Sequence, residues 1–174
     1  MARYEAGEQQ PVFSAAVALA DALGISLSQL AGRTMQGLDL TGNWWAGWQT
    51  FRNGEEFIAI QQARITQDGE ILHIAATTRG LSPEDGGYLW RGELRLWDNE
   101  LLMGWYAAAD GAVRSKGTMY FVIHAHGIHL LGRWVGLSYD GKIVTGWAAM
   151  AHDEAEPARL IAGLEETDGH GAGL

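Results

Sequence analysis

Cysteine is absent from the 174 residues of this chain. Its absence excludes a disulfide framework, a thiolate metal site and a cysteine nucleophile, and it fits a reducing compartment. The sequence also lacks an apolar run long enough to cross a bilayer, and its first residues lack the basic and apolar segments of a secretory signal. We therefore expect a soluble, cytoplasmic protein without a membrane partner.

Positive charge is scarce as well. The chain holds 12 Lys and Arg against 21 Asp and Glu, a net charge of −9, and its last segment, 153–174, is the most acidic part. Tight binding of nucleic acid through phosphates needs a basic surface, which this chain alone does not supply. Enzyme motifs are also missing: there is no Gly-x-Ser-x-Gly elbow, no phosphate-binding glycine loop before a helix and no His-Glu-x-x-His. The sequence therefore weighs against an enzyme.

Reverse-turn signals, in contrast, are abundant between residues 40 and 151. Asn-Gly and Asp-Gly tolerate the positive φ of two-residue hairpin loops, so they mark hairpins when they separate apolar runs. The turn dipeptides are Asn53-Gly54, Asp68-Gly69, Asp98-Asn99, Asp110-Gly111, Asp140-Gly141 and, more weakly, His126-Gly127. They delimit eight predicted strands, near 41–52, 55–67, 70–79, 87–97, 100–109, 113–125, 128–138 and 142–151. We predict a mainly β protein, an eight-stranded antiparallel up-and-down barrel with short N-terminal helices and one C-terminal helix.

Helical signals flank the barrel, which gives three segments: helical residues 1–36, the barrel at 37–152, and a C-terminal helix with a disordered tail at 153–174. Apolar spacing predicts a helix over 13–23 that ends at Gly24, and a second short helix over 28–31. Asp153 is the predicted cap of a helix that runs to about Glu166 and packs on the barrel wall. The long connection 79–87 is either a lid over a barrel mouth or a plain disordered loop.

Two-residue turns fix register, so the first five strands can be divided into two faces. The predicted pairs place six candidate ligand-binding residues inside the barrel: Trp44, Trp48, Gln61, Trp90, Met103 and Trp105. The rings would stack a planar or apolar molecule with Gln61 as a polar handle, or they would simply fill the core. Outward Trp45, Trp97 and Tyr106 predict a covered outer face, with the cover provided by the N-terminal helices or by another subunit of a homo-oligomer.

The later strands allow two registers. If Asp110-Gly111 is a two-residue loop, the inward set is polar: Lys116, Thr118, Tyr120, Val122, His124, His129 and Arg133. A longer loop or a bulge instead turns an apolar set inward: Met119, Phe121, Ile123, Leu130, Trp134 and Trp147. We favour the second register because it buries more apolar surface.

Histidines give a candidate metal site. A turn at His126-Gly127 would set His124 opposite His129, a pair that could hold a metal ion or an axial haem iron. No carboxylate on the same segment completes the ligand set, and two solvent-facing histidines at a hairpin end are the commoner explanation of such a pattern. The cofactor is therefore left open.

The stretch RYEAGEQQPVFSAAVALADALGISLSQLAG, residues 3–32, resembles the second half of the helix-turn-helix domain of XRE (Cro/CI-type) bacterial transcription regulators. The shared pattern is an aromatic-Glu-x-Gly-x-x-x-Pro step at 4–11, then Leu-Ala-Asp-Ala-Leu-Gly at 19–24 and Leu27 to Leu30. Family members carry two helices and most of the recognition helix before this point. We therefore expect either a truncated regulator, which would reach DNA only through the missing helices, or a chain that keeps its helices as packing for the barrel.

A second resemblance lies at the start of the barrel. Leu40-Thr41-Gly42-Asn43-Trp44 is similar to the Gly-x-Trp start of calycins, the superfamily of lipocalins, fatty-acid-binding proteins and avidins. That resemblance implies a barrel whose first tryptophan closes one end and whose interior holds a small apolar molecule. Together the two resemblances imply a ligand-sensing or dimerisation module of a transcription regulator. The alternatives are a haem- or metal-binding redox protein or enzyme, and an interaction domain with a filled barrel.

Overall fold

The computed structural model describes residues 12–23, 30, 38–52, 54–111, 113–124, 126–137 and 141–171, with the side chains of 52 and 167–171 excepted. The chain divides into two compact units, residues 1–37 and 38–174. In the first unit a single helix is described, α1 (Phe13–Leu23), as the apolar spacing predicts. The second short helix predicted at 28–31 lies, apart from Leu30, outside the described residues.

The second unit is a closed eight-stranded antiparallel barrel. Its strands are β1 (Gly42–Arg52), β2 (Glu55–Asp68), β3 (Ile71–Ala76), β4 (Trp90–Trp97), β5 (Leu101–Ala108), β6 (Lys116–Ile123), β7 (His129–Leu137) and β8 (Ile143–Ala151). Each strand pairs with the next, and β8 returns to pair with β1. The prediction of a mainly β, up-and-down barrel is confirmed. Neither helix in the described part of the chain has the length and apolar character needed to cross a membrane.

Strand register agrees with the turn analysis at the first hairpin and departs from it later. Trp44 pairs with Ala63 and Trp48 with Ala59, as predicted. Between β2 and β3 the partners shift by two residues, which leaves the faces unchanged because side chains alternate with a period of two. These strands therefore place Trp44, Trp48 and Gln61 inside, as expected.

At the β4–β5 hairpin the predicted register is wrong by one residue. Asp98 and Asn99 have positive φ, as a turn requires, but Glu100 also lies in the loop, so that Trp97 pairs with Leu101. This single extra residue exchanges the two faces of β5. Its inward set is Leu102, Gly104 and Tyr106, whereas Met103 and Trp105 point outward.

For β6 and β7 the favoured apolar set faces inward as predicted. The predicted cause is wrong, because Met103 pairs with Tyr120 and the one-residue shift arises at the β4–β5 turn and not at Asp110-Gly111. Met119, Phe121, Ile123 and Leu130 are buried, and Trp134 packs against them. The exception is on β8. Leu137 pairs with Ile143, which sets Trp147 opposite Arg133 on the outer surface, where the guanidinium carbon lies 3.6 Å from the ring centroid. The inward placement of Trp147 is therefore wrong.

The C-terminal helix α2 (Glu156–Gly171) covers the outer side of β1 and β8. Asp153 caps it as predicted, because its Oδ1 accepts a hydrogen bond of 2.9 Å from the Ala155 amide. Gly47 lets the helix approach, since a Cβ there would lie 2.8 Å from the Cβ of Pro157. The helix runs five residues beyond the expected end at Glu166. The predicted disordered tail is therefore helical as far as residue 171.

The end of the barrel that carries the β2–β3, β4–β5 and β6–β7 turns, here called the closed end, is sealed by residues 38–41. The Leu38 amide donates to Asn99, and its side chain lies against Gly127, so this segment reaches across from turn to turn. Leu40 is fully buried beneath it. Apolar side chains then fill this half of the barrel: Ile65, Leu72, Leu96, Leu102 and Leu130.

Candidate functional site

The opposite end of the barrel, here called the open end, contains a cavity of about 510 Å³. Typical pockets for small molecules measure roughly 300–1,000 Å³, so this one has the capacity for an organic ligand. The inward residues of the strands that line it are Trp48, Thr50, Phe57, Ala59, Gln61, Trp90, Tyr106, Met119, Trp134 and Val144. The loops add Arg79, Leu81, Asp85, Gly86, Gly87, Tyr88, Val113 and Ser115.

Aromatic rings form a connected wall around this cavity. Trp48 packs edge-on against Trp90 at 5.1 Å between ring centroids, Trp90 against Tyr106 at 6.5 Å, and Tyr106 against Trp134 at 6.4 Å. Edge-to-face packing at these distances is the favoured arrangement of aromatic pairs and holds each ring in one orientation. The wall therefore presents fixed ring surfaces to the cavity.

Gln61 holds this wall together from the inward face of β2. Its Oε1 accepts hydrogen bonds from the indole nitrogens of Trp48 and Trp90, at 3.1 and 2.8 Å. Its Nε2 donates to the carbonyl oxygens of Arg79 and Tyr88, at 2.7 and 3.1 Å. A glutamine amide has two donors and two acceptor positions, and all are used here. Gln61 therefore orients the rings and the loop and is not the free polar handle that the sequence analysis expected.

The loop between β3 and β4 covers one side of the open end. It contains a short 3₁₀ helix (Pro83–Asp85), which Ser82 caps. Gln61 fastens the two arms of this loop through Arg79 and Tyr88, and an ion pair joins Arg79 to Asp110 of the β5–β6 loop. Of the two predicted alternatives for residues 79–87, the lid position over a barrel mouth matches the observed one.

Three hydroxyl groups meet on the loop side of the cavity. The Tyr88 and Ser115 oxygens lie 2.7 Å apart in a hydrogen bond, and Tyr106 lies close to both residues. Burial raises the pKa of Tyr88, and burial together with the nearby Tyr88 raises the pKa of Tyr106 to about 12. Both phenols therefore keep their protons at neutral pH and remain hydrogen-bond donors.

The structure brings together only part of the predicted ligand-binding set. Trp48, Gln61 and Trp90 line the cavity. Trp44 is inside the barrel but belongs to the filled closed end, where its indole nitrogen donates to the Leu40 carbonyl at 2.9 Å. The predicted inward placement of Met103 and Trp105 is wrong, because the extra loop residue Glu100 turns both side chains to the outer surface.

Sequence reasoning missed Tyr106, Tyr88 and Ser115 as site residues. Tyr106 was placed outside by the one-residue error in the β4–β5 turn. Tyr88 and Ser115 lie in loops, where no alternation of polar and apolar residues signals which way a side chain points. Trp134 followed from the favoured apolar register, although it was not among the candidate ligand-binding residues.

The predicted histidine pair is present but lies away from the cavity. The rings of His124 and His129 are 4.4 Å apart between centroids at the β6–β7 turn, and neither residue lines the cavity. Burial, with the neighbouring His124, lowers the pKa of His129. Among the residues described, no group of three His, Cys, Asp or Glu is arranged to hold a metal ion. The pair is therefore not connected to the candidate site.

Comparisons with known proteins add little to this picture. No family model matches the chain, and no curated protein matches it. Among solved structures it is similar to a redesigned beta barrel, with a TM-score of 0.47 and 11% identity over 66% of this chain and 90% of the designed one. A likeness of that size carries no argument about function, and the strand pairing itself establishes the barrel.

Proposed function

We propose that the barrel binds a small aromatic or apolar molecule in the cavity at its open end. The observation that carries this proposal is the aromatic wall. The indole nitrogens of Trp48 and Trp90 are bonded to Gln61, and that of Trp134 donates to the Gln49 carbonyl at 3.0 Å. Because the indole nitrogens already have partners, the tryptophans present ring surface to a guest, which favours apolar and planar molecules.

The biological setting we propose is that of a sensor, in which the calycin-like barrel serves as the ligand-binding module of an XRE-type transcription regulator. Its support is the resemblance of residues 3–32 to part of a helix-turn-helix domain. Helix α1 lies within these residues, as that resemblance requires. Contact with DNA would come through helices that precede this part of the domain. The chain studied alone should bind ligand and should not bind DNA tightly.

A fluorescence titration with N-phenyl-1-naphthylamine, a neutral aromatic dye that brightens in apolar cavities, tests the binding proposal. We expect saturable enhancement with the natural sequence and strong loss in Ala59→Trp, which fills the cavity from β2. Thr66→Trp adds the same ring to the outer face of β2 and is the matched control. Equal binding by both variants, or no binding by the natural chain, would contradict the proposal.

A second candidate function is dimerisation through the outer surface of β5, β6 and β7. Neighbouring side chains on this surface, here called the β5–β7 face, are unusually exposed for apolar residues: Met103 (40%), Trp105 (45%), Tyr120 (42%), Val122 (49%) and Val135 (43%). With aromatic side chains of about 150–250 Å² each, these fractions expose on the order of 400 Å². Each partner of a standard interface buries about 800 Å², so this patch would have to be joined by a surrounding polar rim to form one.

We propose a second copy of the chain as the occupant of the β5–β7 face, because a twofold interface needs only one self-complementary patch. Sedimentation velocity should show a dimer for the natural chain and a monomer for the double variant Trp105→Glu, Val122→Lys. Ala75→Glu, on the exposed outer side of β3, is the control and should leave the dimer intact. If the natural chain is monomeric at high concentration, the dimerisation proposal is contradicted, while the ligand-binding proposal is unaffected.

A further inference from the structure

The hydroxyl cluster of Tyr88, Tyr106 and Ser115 is a polar patch of the cavity that the binding of an apolar guest does not explain. Each member comes from a different part of the chain: the end of the β3–β4 loop, the inward face of β5 and the β5–β6 loop. The barrel leaves room for it, because Gly136 lies against the Tyr106 hydroxyl and any side chain there would collide with it. The three hydroxyls are thus held together by the tertiary fold.

Hydrogen-bond counting shows that the cluster retains capacity for a guest. A hydroxyl has one proton to donate and lone pairs to accept with. The bond between Tyr88 and Ser115 uses one of the three protons, and Tyr106 lies beside that pair. At least one proton and several lone pairs therefore remain, and all three residues line the cavity. A buried polar group with spare capacity favours a guest that supplies the missing partner.

Charge around the cavity selects against an anionic guest. The described lining residues include one cation, Arg79, and one carboxylate, Asp85, and Arg79 is already paired with Asp110 just outside the lining. One positive and two negative groups leave no excess positive charge to balance a carboxylate or phosphate. Moving an unbalanced charge from water to an aromatic cavity is strongly unfavourable. The raised pKa values of both tyrosines keep the cluster itself neutral.

We propose that the cluster of Tyr88, Tyr106 and Ser115 makes the cavity selective for uncharged aromatic molecules that carry a hydroxyl or carbonyl oxygen. The rings of the guest pack against the tryptophan wall, and its oxygen exchanges hydrogen bonds with the cluster. This inference rests on the proposed ligand-binding function and specifies the class of ligand. An analogue without the oxygen leaves the spare hydrogen-bonding capacity of the cluster unused and should therefore bind more weakly.

Three probes of the same size class separate this inference from simple apolar binding: naphthalene, 2-naphthol and 2-naphthoate. Calorimetry or intrinsic tryptophan fluorescence gives the affinity of each for the full chain. One additional hydrogen bond in a buried site corresponds to roughly a three- to tenfold gain in affinity. We expect 2-naphthol to bind tighter than naphthalene by that factor, and 2-naphthoate to bind more weakly than either.

Isosteric variants then assign the selectivity to the cluster. Tyr106→Phe and Ser115→Ala remove one oxygen each, and in both variants the ratio of 2-naphthol affinity to naphthalene affinity should fall to near one. Ser115→Thr keeps the hydroxyl and should retain the advantage. Tyr120→Phe removes a phenol oxygen from the outer face of β6 and is the matched control. Because two variants act on different residues, misfolding of one still leaves the other as a test.

The outcomes distinguish the two proposals. If both neutral probes bind equally to the natural chain and to every variant, the cluster has no selective role, yet the cavity still binds aromatic molecules. If none of the three probes binds, the ligand-binding function fails and this inference with it. If 2-naphthoate binds tightest, the cavity recognises anions and the proposed selectivity is overturned.

Discussion

At both ends of the barrel an inward glutamine of β2 ties a crossing segment to the strand, but one end is filled and the other contains a cavity. The two glutamines are Gln67 and Gln61. At the closed end Gln67 accepts from the Leu40 amide at 2.9 Å and donates to the Leu38 carbonyl at 3.0 Å. At the open end Gln61 donates to two loop carbonyls and accepts from two indoles.

The difference lies in what each glutamine fastens. The segment tied by Gln67 inserts Leu40 into the barrel, where it is fully buried among aliphatic side chains. The loop tied by Gln61 is held at the rim through its backbone, and its Leu81 and Tyr88 side chains line the cavity without filling it. An eight-stranded barrel is just wide enough to be filled by side chains or to hold one small ligand. In this chain the closed end is filled and the open end keeps a cavity of ligand size.

The largest expected effect contrasts leucines at the two ends. Leu102→Ala leaves a void in the filled half, where Leu102 is fully buried, and should lower the free energy of unfolding by about 2–5 kcal/mol. Leu137, at the end of β7, also lines the cavity of the open end and is only half-buried. Leu137→Ala therefore enlarges an existing cavity and should cost less than about 1 kcal/mol. Urea denaturation followed by circular dichroism measures both, and equal losses would show that the two ends are packed alike.

The two glutamines give the next largest effect. Gln61→Ala leaves two indole donors and two carbonyl oxygens without their hydrogen-bond partner at a site only 5% exposed. We expect it to lower the free energy of unfolding by about 2–4 kcal/mol. Gln67→Ala, in a half-buried position where water can take over its bonds, should cost about 1 kcal/mol. Gln62→Ala, on the exposed outer side of β2, is the control for both. A larger loss for Gln67→Ala than for Gln61→Ala would reverse the ranking.

Alkaline pH should weaken the open end selectively. Burial raises the pKa of Tyr106 from 10 to about 12, so the folded protein holds this proton more tightly than the unfolded chain does. That contribution to stability is complete below pH 10 and is lost as the pH rises from 10 through 12. Tyr106→Phe should therefore lose less stability over this range than the natural chain.

The same alkaline titration in Tyr120→Phe, which removes an exposed phenol, should follow the natural chain. Denaturation midpoints across the range, with tyrosinate absorbance as a second signal, give the comparison. If Tyr106→Phe declines as steeply as the natural chain, the phenol is solvated and the open end is wetter than its burial indicates.

The smallest effect concerns the lid loop. Ser82 caps the 3₁₀ helix by accepting from the Asp85 amide at 3.1 Å, and its replacement by alanine should cost about 0.5–1 kcal/mol. Because the loop is fastened only at the rim, we expect this loss in faster amide exchange of the loop and not in global unfolding. A shift of the global midpoint as large as that of Gln61→Ala would mean that the loop is part of the core.

The sequence predicted registers well only where a turn holds two residues. At the first hairpin, predicted from Asn53-Gly54, Arg52 pairs with Glu55, so two residues separate the strands, and Trp48 and Gln61 were accordingly placed inside. Asp98-Asn99 has the same chemistry, but its loop includes Glu100. The segment Leu101-Leu102-Met103-Gly104-Trp105-Tyr106 carries large apolar residues on both faces, so alternation does not reveal the slip. Because of this slip, Met103 and Trp105 were wrongly predicted to lie inside the barrel and Tyr106 was wrongly predicted to lie outside it.

The sequence by itself determined the number of strands, their antiparallel order and the capped C-terminal helix, because turn dipeptides, apolar alternation and a capping aspartate are local signals. Only the tertiary structure decided which half of the barrel is filled. That outcome depends on where Leu40 inserts, how Gln61 divides its four hydrogen bonds and how three hydroxyls from separate segments meet. These are contacts between residues distant in the chain, and spacing along a sequence carries no record of them.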